Sequence, residues 1–250
     1  MFERIKMTQI NPHVWLMDDA GESTGYVVIG SEKAAVIDTM NGWEDVKAAA
    51  RTLTDLPLVV INTHGHCDHI FGNVYFDEPC LVHPADFALA DEHSHFPEFV
   101  EQCEKHNLKM PPFAPIEDGE VIDLGGLHLQ AVHLPGHTPG GLLVLIQEDG
   151  IVFTGDAINR HLWLQLDGCL SAGKAADELD KVLWLTEKAR YILHGHAKGL
   201  EPVSLMNDLL RGLREIEAGQ TADDLPYKWF GGEARQHPFA PDSVIVYPKP

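Results

Sequence analysis

Thr63-His64-Gly65-His66-Cys67-Asp68-His69 brings four side chains that can ligate a metal (His64, His66, Asp68 and His69) into six consecutive residues. In an extended segment His64 and His66 share a face, so both imidazoles can reach one ion. Asp68 and His69 follow as the chain turns, aimed at a second position nearby. Composition alone would place one HxHxDH in this chain with a chance of about 0.004. Three later residues are of the same chemical kind. His137 lies in Leu134-Pro135-Gly136-His137-Thr138-Pro139-Gly140, Asp156 follows Ile151–Thr154 and Gly155, and His196 closes His194-Gly195-His196. Five neutral imidazoles and two carboxylates suit Zn²⁺, and the same mixture accepts Fe or Mn. Nothing resembles GxSxG, so no serine nucleophile is indicated.

These residues need elements that end near one another. Val14–Met17, Tyr26–Ile29 and Ala34–Ile37 read as short strands, and Asp45–Leu53 as an amphipathic helix with Val46, Ala49, Ala50 and Leu53 apolar. Leu58–Ile61 is an apolar run suited to a buried strand, and the His-rich segment follows directly on it. Pro84–Ala90 and Phe96–His106 look helical, and Pro111-Pro112-Phe113-Ala114-Pro115 stops that region. Strands return at Val121–Leu124, Leu127–Val132, Leu142–Ile146 and Ile151–Thr154. Ala175–Lys188 reads as a helix, Tyr191–Leu193 as a strand, Pro202–Ala218 as a helix and Ser243–Tyr247 as a last strand. Two batches of strands, each followed by helices, predict two packed sheets with helices outside. His137, Asp156 and His196 each then fall at a strand end, where such folds place their sites.

The set Thr63–His69, Leu134–Gly140, Gly155-Asp156 and Gly195-His196, with Val36-Ile37-Asp38-Thr39 before it, closely resembles the metallo-β-lactamase superfamily from about Trp15 to His196. The resemblance implies an α+β fold, a four-layer αββα sandwich, in one domain over residues 1–250. It implies a first metal site of His64, His66 and His137 and a second of Asp68, His69 and His196, with Asp156 bridging. Asp38 would be a supporting carboxylate. The expected cofactor is two Zn²⁺, with Fe or Mn possible in their place. Two cations sharing a water bring its pKa near neutrality and deliver a bridging hydroxide to an electrophile, with Asp68 and Asp156 as the catalytic carboxylates.

The HxHxDH form resembles the hydroxyacylglutathione hydrolase, lactonase and phosphodiesterase branches, which implies hydrolysis of a small ester, thioester, lactone or phosphoester. The flavodiiron branch and the class B1 lactamases fit less well. One alternative is a mononuclear Fe(II) persulfide-type dioxygenase using His64, His137 and Asp156. Another is a non-catalytic metal-binding protein, against which the complete ligand set argues.

Weaker signals are weighed against plainer readings. Cys67 points away from His64 and His66 under strand alternation and reads as a small buried thiol. Asp91-Glu92-His93-Ser94-His95 reads as a solvated segment rather than a second metal cluster. His128 and His133 read as ordinary half-buried side chains, His133 with a supporting role open to it. Arg160, His161 and Trp163 follow Asp156 and are candidate substrate contacts, as is Lys198. His194 competes with His196 as ligand, the Gly-His register favouring His196. Arg235-Gln236-His237 is expected in a Gly- and Pro-flanked loop before the last strand, with its reach to the site left open.

Lys plus Arg number 18 against 38 Asp plus Glu, a net charge of −20. That balance excludes an extended nucleic-acid surface and docking on anionic membranes, and predicts a small-molecule substrate. No apolar run spans a bilayer and no signal-peptide pattern opens the chain. Four cysteines without CxxC spacing predict a reduced, cytoplasmic setting. No oligomeric state is specified.

Overall fold

The computed structural model describes residues 2–229 and 232–249. Its first sheet runs in chain order: β1 (Ile5–Gln9), β2 (Val14–Asp19), β3 (Thr24–Ile29), β4 (Ala34–Ile37), β5 (Leu58–Ile61), β6 (Cys80–Val82) and β7 (Phe113–Pro115). β1 to β4 pair antiparallel, whereas β4 to β7 pair parallel and need crossovers. α1 (Val46–Arg51) supplies the first crossover and α2 (Cys67–Ile70) lies in the second. α3 (Phe87–Ser94) and α4 (Pro97–His106) lie in the third. α1 starts where the Asp45 carboxylate accepts the Ala48 N–H at 2.8 Å.

The second sheet begins with β8 (Val121–Asp123), β9 (His128–His133), β10 (Leu142–Ile146) and β11 (Ile151–Gly155). β12 (His161–Trp163) leaves it, and β13 (Tyr191–His194) and β14 (Glu201–Pro202) return to complete the order β14-β13-β11-β10-β9-β8. α5 (Ala172–Lys181) and α6 (Leu185–Lys188) lie between β12 and β13, and α7 (Leu205–Glu217) follows β14.

Strand alternation sorts the apolar residues into three cores. On β10, Leu142, Val144 and Ile146 face the first sheet with Ile37, Ile61, Phe153 and Leu193, while Leu143 and Leu145 face Leu179, Leu209 and Leu213 of the helices. On the far side of the first sheet Val27, Val36 and Val60 meet Val46, Ala49 and Ala50 of α1. Each fully buried Leu or Phe contributes about 1.5–3 kcal/mol. The layers are therefore α, β, β and α. Among the described residues no helix is long and apolar enough to cross a membrane.

Several sequence expectations need correction. Pro111–Pro115 does not only stop the chain, since Phe113–Pro115 is the edge strand β7, where proline is tolerated. The helix expected over Ala175–Lys188 is two, divided by a turn at Val182–Trp184. A third sheet was not foreseen. β12 pairs with β17 (Ser243–Pro248), which pairs with β16 (Gly232–Ala240) and then with β15 (Leu225–Trp229). Pro226, Pro238 and the flanking glycines interrupt the strand pattern there. Arg235-Gln236-His237 thus lies within β16 and is not a loop over the site. Arg235 donates to the carbonyls of Thr221 and Asp224. His237 is buried between Asp224 (2.7 Å) and Glu215 of α7 (3.0 Å). Gly212 of α7 allows this contact, because a Cβ there would stand 2.5 Å from Phe239 Cβ.

That buried imidazole ties the third sheet to α7. His237→Ala should lower the unfolding free energy in urea by about 2 kcal/mol, because it removes a buried partner from Asp224 and Glu215, which then keep Tyr247 and Arg211. Metal content should not change.

Candidate metal centre

The site is built where the parallel strands β4 and β5 end together. Ile37 stands opposite Ile61, so Asp38 falls beside Thr63. Asp38 takes φ +57°, a left-handed conformation uncommon outside glycine, and its buried carboxylate is committed on both oxygens. Oδ1 accepts the Thr63 N–H at 2.7 Å. Oδ2 accepts the Thr63 hydroxyl at 2.7 Å and the His69 Nδ1–H at 2.8 Å. The Thr63 hydroxyl in turn accepts from His64 Nδ1 at 3.1 Å. One carboxylate therefore assigns two tautomers and leaves Nε2 of both His64 and His69 facing inward.

The remaining donors arrive from the second sheet. His137 sits in the turn between β9 and β10 and donates from Nδ1 to the Trp163 carbonyl at 2.8 Å. Asp156 follows β11, where Gly155 adopts φ +48° and a Cβ would overlap Thr63 Oγ1 at 2.2 Å. His196 follows β13 and donates from Nδ1 to the Glu22 carbonyl at 2.7 Å. Tyr26 and Thr24 of β3 donate to the His194 carbonyl at 2.6 and 3.0 Å, which fastens this loop to the first sheet. Gly195 is required by space, since a Cβ would stand 2.4 Å from both Asp156 Oδ1 and His69 Cε1.

Three groups of donor atoms result: His64, His66 and His137; His64, His69 and Asp156; and Asp68, His69 and His196, the members of each lying within 4.8 Å of one another. His66 Nδ1 is 3.1 Å from His64 Nε2 and 3.0 Å from His137 Nε2. Two nitrogens bound tetrahedrally to one zinc stand about 3.3 Å apart, close to these values. Asp156 joins the groups, with Oδ2 at 3.1 Å from His196 Nε2 and 3.9 Å from His137 Nε2, and Oδ1 at 3.7 Å from His69 Nε2. His69 Nε2 and Asp156 Oδ1 are buried with no hydrogen-bond partner, a costly arrangement that a cation between them would relieve. The residues present fit bound metal.

Protonation divides the donors. Burial and neighbouring imidazoles hold His64 and His66 well below the usual histidine range, so they are neutral at pH 7. Burial opposes charge on His69 and His196 as well, yet carboxylates prevail. Asp68, Asp38 and Asp156 lift His69 well above its usual range, and Asp156 and Asp68 lift His196 to about 9. Asp68 is drawn down to about 2 against the cost of burial, chiefly by His69.

Every expected donor lies in this cluster. His194 does not: its Nδ1 accepts the His196 N–H at 3.2 Å, and burial lowers it to about 4. Cys67 opens α2 and belongs to none of the donor groups, and burial pushes its thiol up to about 11. Arg160, a candidate substrate contact, has its guanidinium engaged by Glu201 (2.9 and 2.5 Å), the Pro241 carbonyl and Ser243. His161 is exposed beside the site, with its ring 5.6 Å from Trp163 and 5.5 Å from Tyr227. Lys198 is exposed two residues beyond His196.

Two supporting residues were not foreseen. Asp86, fully buried at the start of α3, accepts the Gly65 N–H at 2.9 Å and the Gly140 N–H at 2.5 Å, joining the two loops that carry His66 and His137. His93 lies in α3 rather than in a solvated segment. It accepts the Cys67 N–H at 2.9 Å and stacks on His66 at 5.2 Å. His133 donates to the Pro139 carbonyl at 2.9 Å and stacks on His83, bracing the His137 turn.

The chain belongs to the metallo-β-lactamase superfamily, whose family model matches residues 18–196. An uncharacterized Mycobacterium tuberculosis protein is 32% identical over 175 residues, covering 63% of this chain and 77% of that protein. The Bos taurus acyl-coenzyme A thioesterase MBLAC2 is 28% identical over 160 residues, covering 53% of this chain and 57% of the relative. Among solved structures, a metallo-β-lactamase from Pontibacter korlensis superposes with a TM-score of 0.67 at 20% identity, covering 84% of this chain and 99% of that one. The αββα fold is shared with it.

Two outcomes follow for metal binding. Ions at Asp68, His69 and His196 must displace protons at pH 7, whereas His64 and His66 are already neutral. Affinity at the Asp68, His69 and His196 group should therefore rise with pH through about 9, while binding at His64 and His66 releases fewer protons, as read by calorimetry in buffers of different ionisation enthalpy. Asp86→Asn sets an amide against one loop N–H. In chelator competition it should weaken metal binding by about 10–100-fold.

Proposed function

We propose that the protein is a dinuclear metal-dependent hydrolase of a small acyl substrate, with thioesters the preferred class. The observation that carries this reading is Asp156, a buried carboxylate standing between two histidine-rich donor groups with one oxygen unpartnered. His64, His66 and His137 would hold one ion, Asp68, His69 and His196 the other, and Asp156 would contact both. Zn²⁺ suits this donor set, and Fe or Mn are compatible with it. The bound pair would supply a nucleophile at neutral pH and polarise the substrate carbonyl. The acyl-coenzyme A thioesterase among the relatives supports thioesters over lactones and phosphoesters.

The chain's own residues supply position and proton traffic. The donors exposed to an incoming substrate are Asp68 and His196, whose side chains are 31% and 35% accessible, so the carbonyl approaches from their side. Asp68 Oδ2 stands 3.5 Å from His69 Nε2 and 3.7 Å from His196 Nε2. It can take a proton from the attacking water and return it to the departing thiolate. His161 borders the same opening. Partial desolvation of its ring and the neighbouring His196 lower it below the usual histidine range, so at pH 7 it offers a neutral imidazole to the substrate. Asp38 and Thr63 hold His64 and His69 through the cycle without touching substrate. The net charge of −20 favours a small substrate over a polynucleotide.

Metal analysis of protein purified without chelator should approach two ions per chain. Asp156→Ala should abolish thioester hydrolysis, and Cys67→Ala should retain it. Thioesters should lead a panel that includes lactones, β-lactams, phosphodiesters, RNA and single-stranded DNA. One iron per chain with oxygen uptake on a persulfide would overturn the reading, as would faster turnover of RNA or DNA than of every ester.

A further inference from the structure

The helical pair α3–α4 carries apolar surface that none of the three cores absorbs. Phe96, Phe99, Val100 and Cys103 recur at helical spacing along one side of α4, yet no residue of α4 is buried. The rings next to this stripe form a connected series that begins at a metal donor. His66 meets His93 at 5.2 Å, His93 meets Phe96 at 4.5 Å, Phe96 meets Phe71 at 6.4 Å, and Phe71 stacks on Phe99 at 3.7 Å. His93, Phe96, Phe71 and Phe99 are all half-exposed. Beyond Phe99 lies a recess of about 500 Å³, lined in part by Phe99, Val100, Cys103, Leu108 and Met110. That volume falls within the range of ligand pockets, and the apolar half of the lining suits a chain of methylenes, the rest being Ser94, His95, Glu104, Asn107 and Lys109.

We propose that this series of rings and the recess beyond it bind the acyl chain of the substrate, with the scissile carbonyl at the metal centre. The inference rests on the thioesterase reading above and adds to it a site for the acyl chain. Charge selects the acyl chain over the thiol arm as occupant. Glu98, Glu101 and Glu104 are exposed along α4 and outnumber Lys105 and Lys109 beside them, a negative balance that disfavours a phosphate-bearing arm while leaving a hydrocarbon unaffected. The rival wall is Trp163, His161 and Tyr227 on the third sheet.

Acyl-coenzyme A thioesters from acetyl to hexadecanoyl, assayed with the metal-loaded protein, test the assignment. kcat/KM should climb by up to about fourfold per methylene until the recess is filled. Phe99→Ser and Met110→Ser should each cut the dodecanoyl-to-acetyl ratio of kcat/KM by about tenfold or more. A flat wild-type profile would overturn the proposal. So would a ratio that survives in both variants but collapses in Tyr227→Ser, which would move the chain to the other wall. If no thioester is hydrolysed, the functional reading fails, and calorimetry with dodecanoate decides the acyl site alone. Binding weakened about tenfold by Phe99→Ser would support it, and equal affinity or no binding would overturn it.

Discussion

The Asp38 carboxylate is the constraint on which the metal centre depends. It is buried, left-handed in backbone and fully committed, to the Thr63 N–H, to the Thr63 hydroxyl and to His69 Nδ1. Through the hydroxyl it also fixes His64. Donors for both metal groups therefore take their tautomers from one anion that faces neither group directly. The register of β4 against β5 puts that anion in place, so the packing of the first sheet reaches the chemistry through a single side chain.

The second sheet answers to the first through backbone contacts of the same economy. Leu142 N–H donates to the Thr63 carbonyl at 2.7 Å, and Thr24 N–H to the Gly195 carbonyl at 2.7 Å. Glycine is needed where the two halves approach most closely, at Gly155 against Thr63 and at Gly195 beneath His69 and Asp156. Asp86 adds the third fastening, between the His66 loop and the His137 turn. The donors are thus held from behind, and the open side is left to Asp68, His196 and His161.

Much of this was legible in the sequence because the donors announce themselves by type. Imidazoles and carboxylates at HxHxDH spacing, and single ligands at strand ends, need no tertiary knowledge to be noticed. Asp38 was readable through the Val-Ile-Asp-Thr run that ends a strand. Asp86 and His93 were not readable, because their partners are the backbone N–H groups of Gly65, Gly140 and Cys67, and a backbone donor has no residue signature. The ion pair of Arg160 was unreadable for a related reason, since its partner Glu201 lies 41 residues later in the chain. The third sheet escaped because prolines and glycines broke the alternation by which strands are recognised.

The donors come from distant stretches of the chain, four of them before residue 70 and three after residue 136. Neither candidate metal group can therefore be completed until the two sheets have docked, and an ion held there would favour the native arrangement over any earlier one. Saturation at a thousand times Kd adds about 4 kcal/mol to native stability. Metal uptake by these groups would then serve as a latch on folding. During synthesis the His-rich segment waits for the His137 turn and the loop after β13, and a cation arriving late rewards only chains whose halves have already met in register.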